Sequence, residues 1–380
     1  MRFETKAIRV GQDPDPATGA IVQPIHVSST FKRKSIEQTD GYGYSRVANP
    51  TRAAAEACLA SLENGQFCFL FSSGMAASTA VLGLLSPGDH IVCVQDLYAG
   101  THSLFNLFGK QRGIETTYAP CETIEDATAA FRPNTKLLWL ESPTNPLNQV
   151  LDLAALAEVG HRHGALVAVD NTFASPYFQN PLDLGVDIVV HSATKYLGGH
   201  SDLIGGAVAF NRQDLFDPLW DQQAVGGAVP SAFDCFLLLR GMRTLSVRMR
   251  EHERNGAAVA AFLREHPKVE ATYYPGFSDS PNYELAKSQM RGFSGMVSVK
   301  VKGGYEATKR FAESTKIFQL GSSLGGVESL IGYPNSMSHS SMSDEEKAAR
   351  GLTPNLVRLS VGLEHADDLI EDLDQALRQA

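Results

Sequence analysis

The run His191-Ser192-Ala193-Thr194-Lys195-Tyr196-Leu197-Gly198-Gly199-His200-Ser201-Asp202 follows an apolar stretch at 186–190 and precedes another at 203–210. A lysine between two strand-like runs either extends its charge to water or meets a special partner. Two hydroxyl residues and two glycines surround this one. Hydroxyls can anchor a phosphate, and desolvation lowers an amine's pKa toward that of a Schiff-base nucleophile. The competing reading is a surface lysine after a strand, so Lys195 has to be weighed with what the other strand ends carry.

Upstream of this run, short β-branched stretches alternate with helical ones. Strands are expected at 66–71, 90–94, 114–119, 136–141, 165–170 and 187–191, with helices at 51–63, 74–85, 101–112, 124–131 and 153–163. Such alternation reads as βαβ units and a mostly parallel sheet covered on both faces, an α/β architecture. Downstream, a long helix over 233–250 is expected to lead into a smaller second domain. That domain has a helix at 253–265, a strand at 296–301, a helix at 305–314 and a closing helix from Asp367. The expected partition is an extended arm (1–50), a large domain (51–240) and a C-terminal α+β domain (241–380). The arm, rich in Pro, Gly, Ser and Thr, shows no sustained period and needs something to pack on.

At 380 residues and 43% hydrophobic content the chain can fill more than one core. Its formal net charge of −9, with no offsetting Lys/Arg block, argues against nucleic acid or an anionic membrane as partner and for a small-molecule substrate. The five cysteines are scattered and form no CxxC pair, which describes reduced core thiols. The opening Met1-Arg2-Phe3-Glu4-Thr5-Lys6 has no apolar core of a signal peptide, and no apolar run approaches the ~20 residues of a membrane helix. A cytoplasmic protein is expected.

In sheets of this kind ligands bind beyond the carboxyl ends of the strands. After 66–71 comes Ser72-Ser73-Gly74-Met75, small residues opening a helix whose N-terminus suits a phosphate; a plain serine cap is the alternative. After 90–94 comes Tyr98 beside Gly100, a ring that could stack on an aromatic cofactor and offer a hydroxyl. After 136–141 comes Asn145, set between Pro143 and Pro146 in a turn that could present its amide. After 165–169 comes Asp170, a carboxylate ending an apolar strand, which needs a cationic or hydrogen-bonding partner. A protonated pyridine nitrogen is one such partner, and an Asp paired with a pyridinium plus a Lys Schiff base is how proteins hold pyridoxal phosphate. Few other ligands would use a phosphate cradle, a stacking ring, an amide, a carboxylate and a lysine together.

Other features carry no site. His161 and His163 lie two apart on a helix, on different faces, and read as solvent-exposed rather than metal-binding. Arg240, Arg243, Arg248, Arg250 and Arg254 read as a solvated or salt-bridged face. Gly325-Gly326 lacks the strand, spacing and third glycine of a dinucleotide fingerprint.

Further stretches run along the chain: Tyr44-Ser45-Arg46 with Asn49-Pro50-Thr51-Arg52, Ser73-Gly74-Met75, Glu141-Ser142-Pro143-Thr144-Asn145-Pro146, Val169-Asp170-Asn171-Thr172-Phe173, Ser192-Ala193-Thr194-Lys195-Tyr196, Ser323-Leu324-Gly325-Gly326-Val327-Glu328-Ser329-Leu330 and Val357-Arg358-Leu359-Ser360-Val361-Gly362. On these the chain resembles the Cys/Met-metabolism family of pyridoxal-phosphate-dependent enzymes. The resemblance implies pyridoxal-phosphate fold type I, with a mostly parallel seven-stranded sheet in an aspartate-aminotransferase-like large domain. It implies pyridoxal 5'-phosphate bound through Lys195 as a Schiff base, Asp170 on the pyridinium nitrogen, and Tyr98 stacked on the ring. Gly74, Met75, Ser192 and Thr194 would hold the phosphate, joined by Tyr44 and Arg46 from the arm of a neighbouring subunit. Arg358, Asn145 and the Ser329 backbone would clamp the substrate carboxylate, with Tyr44 also at the substrate. The implied assembly is a homotetramer, a dimer of dimers with sites shared across each dimer.

The implied reaction is γ-elimination on cystathionine, giving cysteine, 2-oxobutanoate and ammonia, with Lys195 moving protons and Tyr98 serving the leaving sulfur. The alternative is γ-replacement on an O-acylhomoserine by cysteine. Methionine γ-elimination and a cofactor-free binding protein are the remaining readings. Glu328 is taken as the glutamate with which γ-acting members meet the distal ammonium of cystathionine, while Gly43 replaces an acidic residue common before the arm tyrosine. Gly100 stands where methionine γ-lyases carry a cysteine.

Overall fold

The computed structural model describes residues 1–38, 40–340 and 342–380. Seven short strands form the large sheet: β1 (Phe67–Phe71), β2 (His90–Val94), β3 (Glu115–Ala119), β4 (Thr135–Glu141), β5 (Leu166–Asp170), β6 (Ile188–Ser192) and β7 (Gly206–Phe210). Their order is β1-β7-β6-β5-β4-β2-β3. The pairs β2 with β3, β2 with β4, β4 with β5, and β5 with β6 are parallel, while β7 runs antiparallel to both β1 and β6. The central strands are nearly unbroken apolar runs because helices cover both faces. Leu138, Leu140, Val167, Val169, Val189 and Val208 are accordingly fully buried. The strand order reverses between β2 and β4, and the crevice at such a reversal is where these sheets take ligands.

The second sheet has β8 (Val269–Tyr273), β9 (Met296–Val301), β10 (Gln319–Leu320), β11 (Leu330–Gly332) and β12 (Leu356–Ser360) in the order β10-β11-β12-β9-β8. It is antiparallel except between β10 and β11. Its inner face, Val297, Val299, Val357 and Leu359, packs on Phe311, Leu369 and Leu373 from helices Gly304–Ser314 and Ala366–Leu377. The expected α/β class, with a mostly parallel sheet of seven strands and a smaller second sheet, is the observed one.

Three elements differ from the sequence reading. The first fifty residues are not wholly extended. Helix α1 (Phe3–Arg9) packs through the buried Ala7 on α2 (Pro50–Leu62), and residues 29–31 pair back onto 43–45. Two turns of helix are too short to show a period in a sequence window. After α3 (Gly74–Leu82), the helix expected at 101–112 begins earlier, as α4 (Ala99–Leu104), and widens into a π-turn over Phe105–Gly109. The expected helix at 233–250 is two helices, Ala232–Met242 and Leu245–Glu265. It breaks where the Gly241 carbonyl accepts from the Thr244 N–H at 3.1 Å and from the Arg248 guanidinium at 2.8 Å. The five cysteines are free and buried, and among the described residues no helix is long and apolar enough to cross a membrane.

Candidate active site

A cavity of about 410 Å³ opens beyond the carboxyl ends of the large sheet, and residues from the second sheet's strands and loops close it. Ser73, Gly74 and Met75 follow β1, Tyr98 follows β2, Asn145 follows β4, and Asp170 ends β5. Ser192 ends β6, Thr194 and Lys195 follow it, and Arg358 enters from β12. Nine residues expected at the site from the sequence, Lys195, Tyr98, Asp170, Gly74, Met75, Ser192, Thr194, Asn145 and Arg358, therefore share one cavity.

The phosphate end is shaped by close approach. Ser73 caps α3, its hydroxyl accepting from the Ala76 N–H at 3.1 Å. A Cβ on Gly74 would stand 3.0 Å from the Ser192 Cβ, so only glycine leaves this space open. Ser192 is held by its own N–H, which donates to the Thr172 hydroxyl at 2.9 Å. The Thr194 hydroxyl accepts from the Gly205 N–H at 3.0 Å, tying the lysine turn to the start of β7.

Lys195 donates from Nζ to the Ser323 hydroxyl at 2.7 Å. Burial, and secondarily the nearby Arg358 charge, push its pKa down to about 8. Its amine therefore gives up its proton far more easily than an ordinary lysine, becoming neutral above about pH 8. Asp170 is buried, and burial holds its pKa above the usual carboxylate range despite the Thr172 N–H at 3.0 Å. Among the described residues no cation forms an ion pair with this carboxylate, and its burial calls for one. Arg358 is buried too, donating from Nη1 to Asn145 Oδ1 and from Nη2 to the Ser323 carbonyl, both at 2.9 Å. Ser323, at φ 106, thus touches the lysine through its side chain and the arginine through its backbone.

Two sequence assignments are corrected. Ser329 is fully buried away from the cavity; its N–H donates to Glu364 Oε1 at 2.8 Å, so that backbone group is not free for a substrate carboxylate. Glu328 does not line the cavity either, and its carboxylate accepts from the Ser201 hydroxyl. Ser323 and Ser322 line it instead. Tyr44 and Arg46 also lie outside it: the Arg46 guanidinium sits 5.5 Å from the Tyr44 ring centroid and donates to the Ala224 carbonyl.

Other residues bearing on the site went unnoticed in the sequence. Glu141 ends β4 beside Asp170, and its carboxylate accepts the Tyr98 N–H at 2.9 Å, which seats the tyrosine at the mouth. The signal that singled out Asp170, an acid closing an apolar strand, applies to Glu141 as well. Arg248 is buried rather than solvated, its Nη1 donating to the Tyr196 carbonyl at 2.7 Å. His161 is partly exposed as expected, but pairs with Asp187 at 2.9 Å.

The family model for Cys/Met metabolism PLP-dependent enzymes matches residues 4–378. The chain belongs to this family. It is 46% identical over 377 residues to a cystathionine gamma-lyase of Dictyostelium discoideum, covering 99% of this chain and 97% of that protein. It is 47% identical over 375 residues to a cystathionine gamma-synthase of Mycobacterium leprae, covering 98% and 96%. The solved cystathionine gamma-lyase from Lactobacillus plantarum, complexed with L-serine, superposes with a TM-score of 0.97 at 43% identity, covering 100% of this chain and 99% of that one. Pyridoxal phosphate is the cofactor of this family, and the cavity's donor set fits it. The glycine-lined cradle has room for a phosphate, the buried Asp170 has use for a pyridinium, and Lys195 offers an amine poised for a carbonyl.

Proposed function

We propose that this enzyme eliminates at the γ-carbon of L-cystathionine, yielding L-cysteine, 2-oxobutanoate and ammonia. The observation that carries the reading is the joint seating of Lys195 and Arg358 on Ser323, an amine and a carboxylate receptor at one amino-acid-sized site. Bound through Lys195 and Asp170, pyridoxal phosphate supplies an electron sink for charge developed at the substrate's α-carbon. The chain's own groups do the rest. The Arg358 fork, oriented by Asn145, receives the α-carboxylate. The Lys195 amine, neutral above about pH 8, takes the α-proton and delivers protons along the carbon chain. Tyr98, seated by Glu141, offers its hydroxyl to the departing sulfur. Gly74, Met75, Ser192 and Thr194 hold the phosphate, with Tyr44 and Arg46 contributed from a neighbouring subunit.

A second reading is γ-replacement on an O-acylhomoserine by cysteine. What supports it is the 47% identity to a cystathionine gamma-synthase over 375 residues. The position of Glu328 does not discriminate, because the incoming cysteine carries the same ammonium as cystathionine's distal end. Supplying the purified protein with cystathionine, and separately with an O-acylhomoserine plus cysteine, decides between them by kcat/KM. Turnover of neither overturns both. We read the protein as a cytoplasmic homotetramer made of two site-sharing dimers, with the cofactor held by 51–240 and the site closed by 241–380.

A further inference from the structure

Arg248 is a buried cation, 4% exposed, with no carboxylate partner among the described residues. All of its recorded hydrogen bonds go to neutral oxygens: Nη1 to the Tyr196 carbonyl at 2.7 Å, Nη2 to the Gly241 carbonyl at 2.8 Å, and Nε to the Thr244 hydroxyl at 3.1 Å. Burying an unpaired charge is costly, so an aliphatic side chain would suit packing alone better. The lysine turn is shaped to admit it. Gly199 sits at φ +74, and any Cβ there would overlap the guanidinium. The Gly199 N–H in turn closes the turn by donating to the Lys195 carbonyl at 2.8 Å.

The same face of helix Leu245–Glu265 continues to the other half of the site. One turn on, His252 places its ring edge-on to Tyr196, with centroids 5.0 Å apart, and its Nδ1 lies 2.7 Å from the Val361 carbonyl. A turn further, Asn255 donates to the carbonyls of Gly362 and Glu364 at 3.0 and 2.8 Å. Those carbonyls continue directly from β12, which carries Arg358. One helix face thus grips the turn bearing Lys195 and the strand end behind Arg358.

We infer that Arg248 is a positioning residue for the reaction proposed above: by holding the Tyr196 carbonyl it fixes the Lys195 amine in the cavity at a set place relative to Arg358. The inference rests on Lys195 as the working lysine. It separates Arg248 from its neighbours Arg250 and Arg254, which are solvent-facing and pair with Glu4 and Glu251.

The charged or titratable groups around the amine are Arg358 from β12, Asp170 from β5, Glu141 from β4 and Tyr98 after β2. Releasing the turn lets water reach the amine and moves it away from Arg358, and both changes raise its pKa. The test uses the full chain freed of cofactor. Acetylation of Lys195 by acetic anhydride is followed against pH by mass spectrometry, beside kcat and KM of the holoenzyme. In Arg248→Met the labelling midpoint is expected to rise from about 8 toward 10.5. The same variant should lose about 10²-fold in kcat, the loss that a displacement on the order of 1 Å produces, with KM changed much less. Arg248→Gln, which keeps two donors, should show smaller changes of the same sign; it decides the matter by the same criteria if Arg248→Met does not fold. A soluble variant whose midpoint stays near 8 and whose kcat stays within about twofold would leave Arg248 a packing residue and overturn the inference. Labelling is read without turnover, so its failure is distinct from failure of Lys195 as the working lysine, which would show as retained activity in Lys195→Ala, and from failure of the proposed reaction, which would show as no turnover of cystathionine by the parent.

Discussion

Lys195 combines two demands in one amine: it anchors the cofactor and moves protons. Lys195→Ala is expected to lose at least about 10²-fold in kcat, since acid–base catalysis alone contributes that much. A steady-state assay checks it, and retention of a tenth of the activity would refute the assignment. The same amine makes stability depend on pH in the cofactor-free protein. Its pKa is about 8 when folded against 10.5 as the ordinary value, so between these the unfolded chain binds more protons and stability rises with pH. Below about 8 the folded state carries the cost of a buried ammonium. Lys195→Met should therefore melt above the parent at pH 7, with the gap closing toward pH 10, as calorimetry of the two proteins will read. Asp170 poses the converse case, a carboxylate whose burial favours its neutral form until a cation arrives. Asp170→Asn should bind pyridoxal phosphate ~10–150-fold more weakly, the equivalent of about 1.5–3 kcal/mol for a hydrogen bond to a charged group. Equilibrium dialysis measures this, and unchanged affinity would reduce Asp170 to a cap for Thr172.

Among elements, the junction of α3 with the end of β6 is the most constrained. Gly74→Val would set its side chain against Ser192, whose Cβ lies 3.0 Å from the first added carbon. The purified variant is expected to keep its far-ultraviolet circular dichroism but to lack the visible absorption of bound cofactor. Elements of this kind were legible because apolar runs of five to seven residues alternate with amphipathic helices, and the residue after each strand announces its chemistry. Where reading failed, the physical causes differ. β10 and β11 span two and three residues, too few for any pattern, and β12 carries Arg358 in its middle. The dipeptide Ser-Leu occurs at both 323 and 329, so sequence could not tell which serine faces the lysine. Only the path of the loop, with Ser323 at φ 106, settles that. Arg248 escaped because both of its Nη donors go to main-chain carbonyls, and carbonyls leave no trace in a sequence pattern.

For the molecule as a whole, the arm is the unfinished part. Val27 and Ile36 are 81% and 94% exposed in the single chain, with Val225 and Phe233 also uncovered at 73% and 56%. If Tyr44 and Arg46 serve a neighbour's phosphate, mixing inactive Lys195→Ala with inactive Arg46→Ala under exchange conditions should restore activity. Each mixed dimer would then have one site with both lesions and one with neither. Hybrids that form yet stay inactive would return the arm to its own subunit. The placement of β7 between β1 and β6 also has a consequence for the protein's birth. On the ribosome β1 emerges early, but its sole partner in the sheet is the last of the seven strands to be made. Until residues 206–210 leave the exit tunnel, the Phe-rich strand 67–71 must be sheltered from neighbouring nascent chains, so a translational pause upstream of β7 should increase the yield of aggregate.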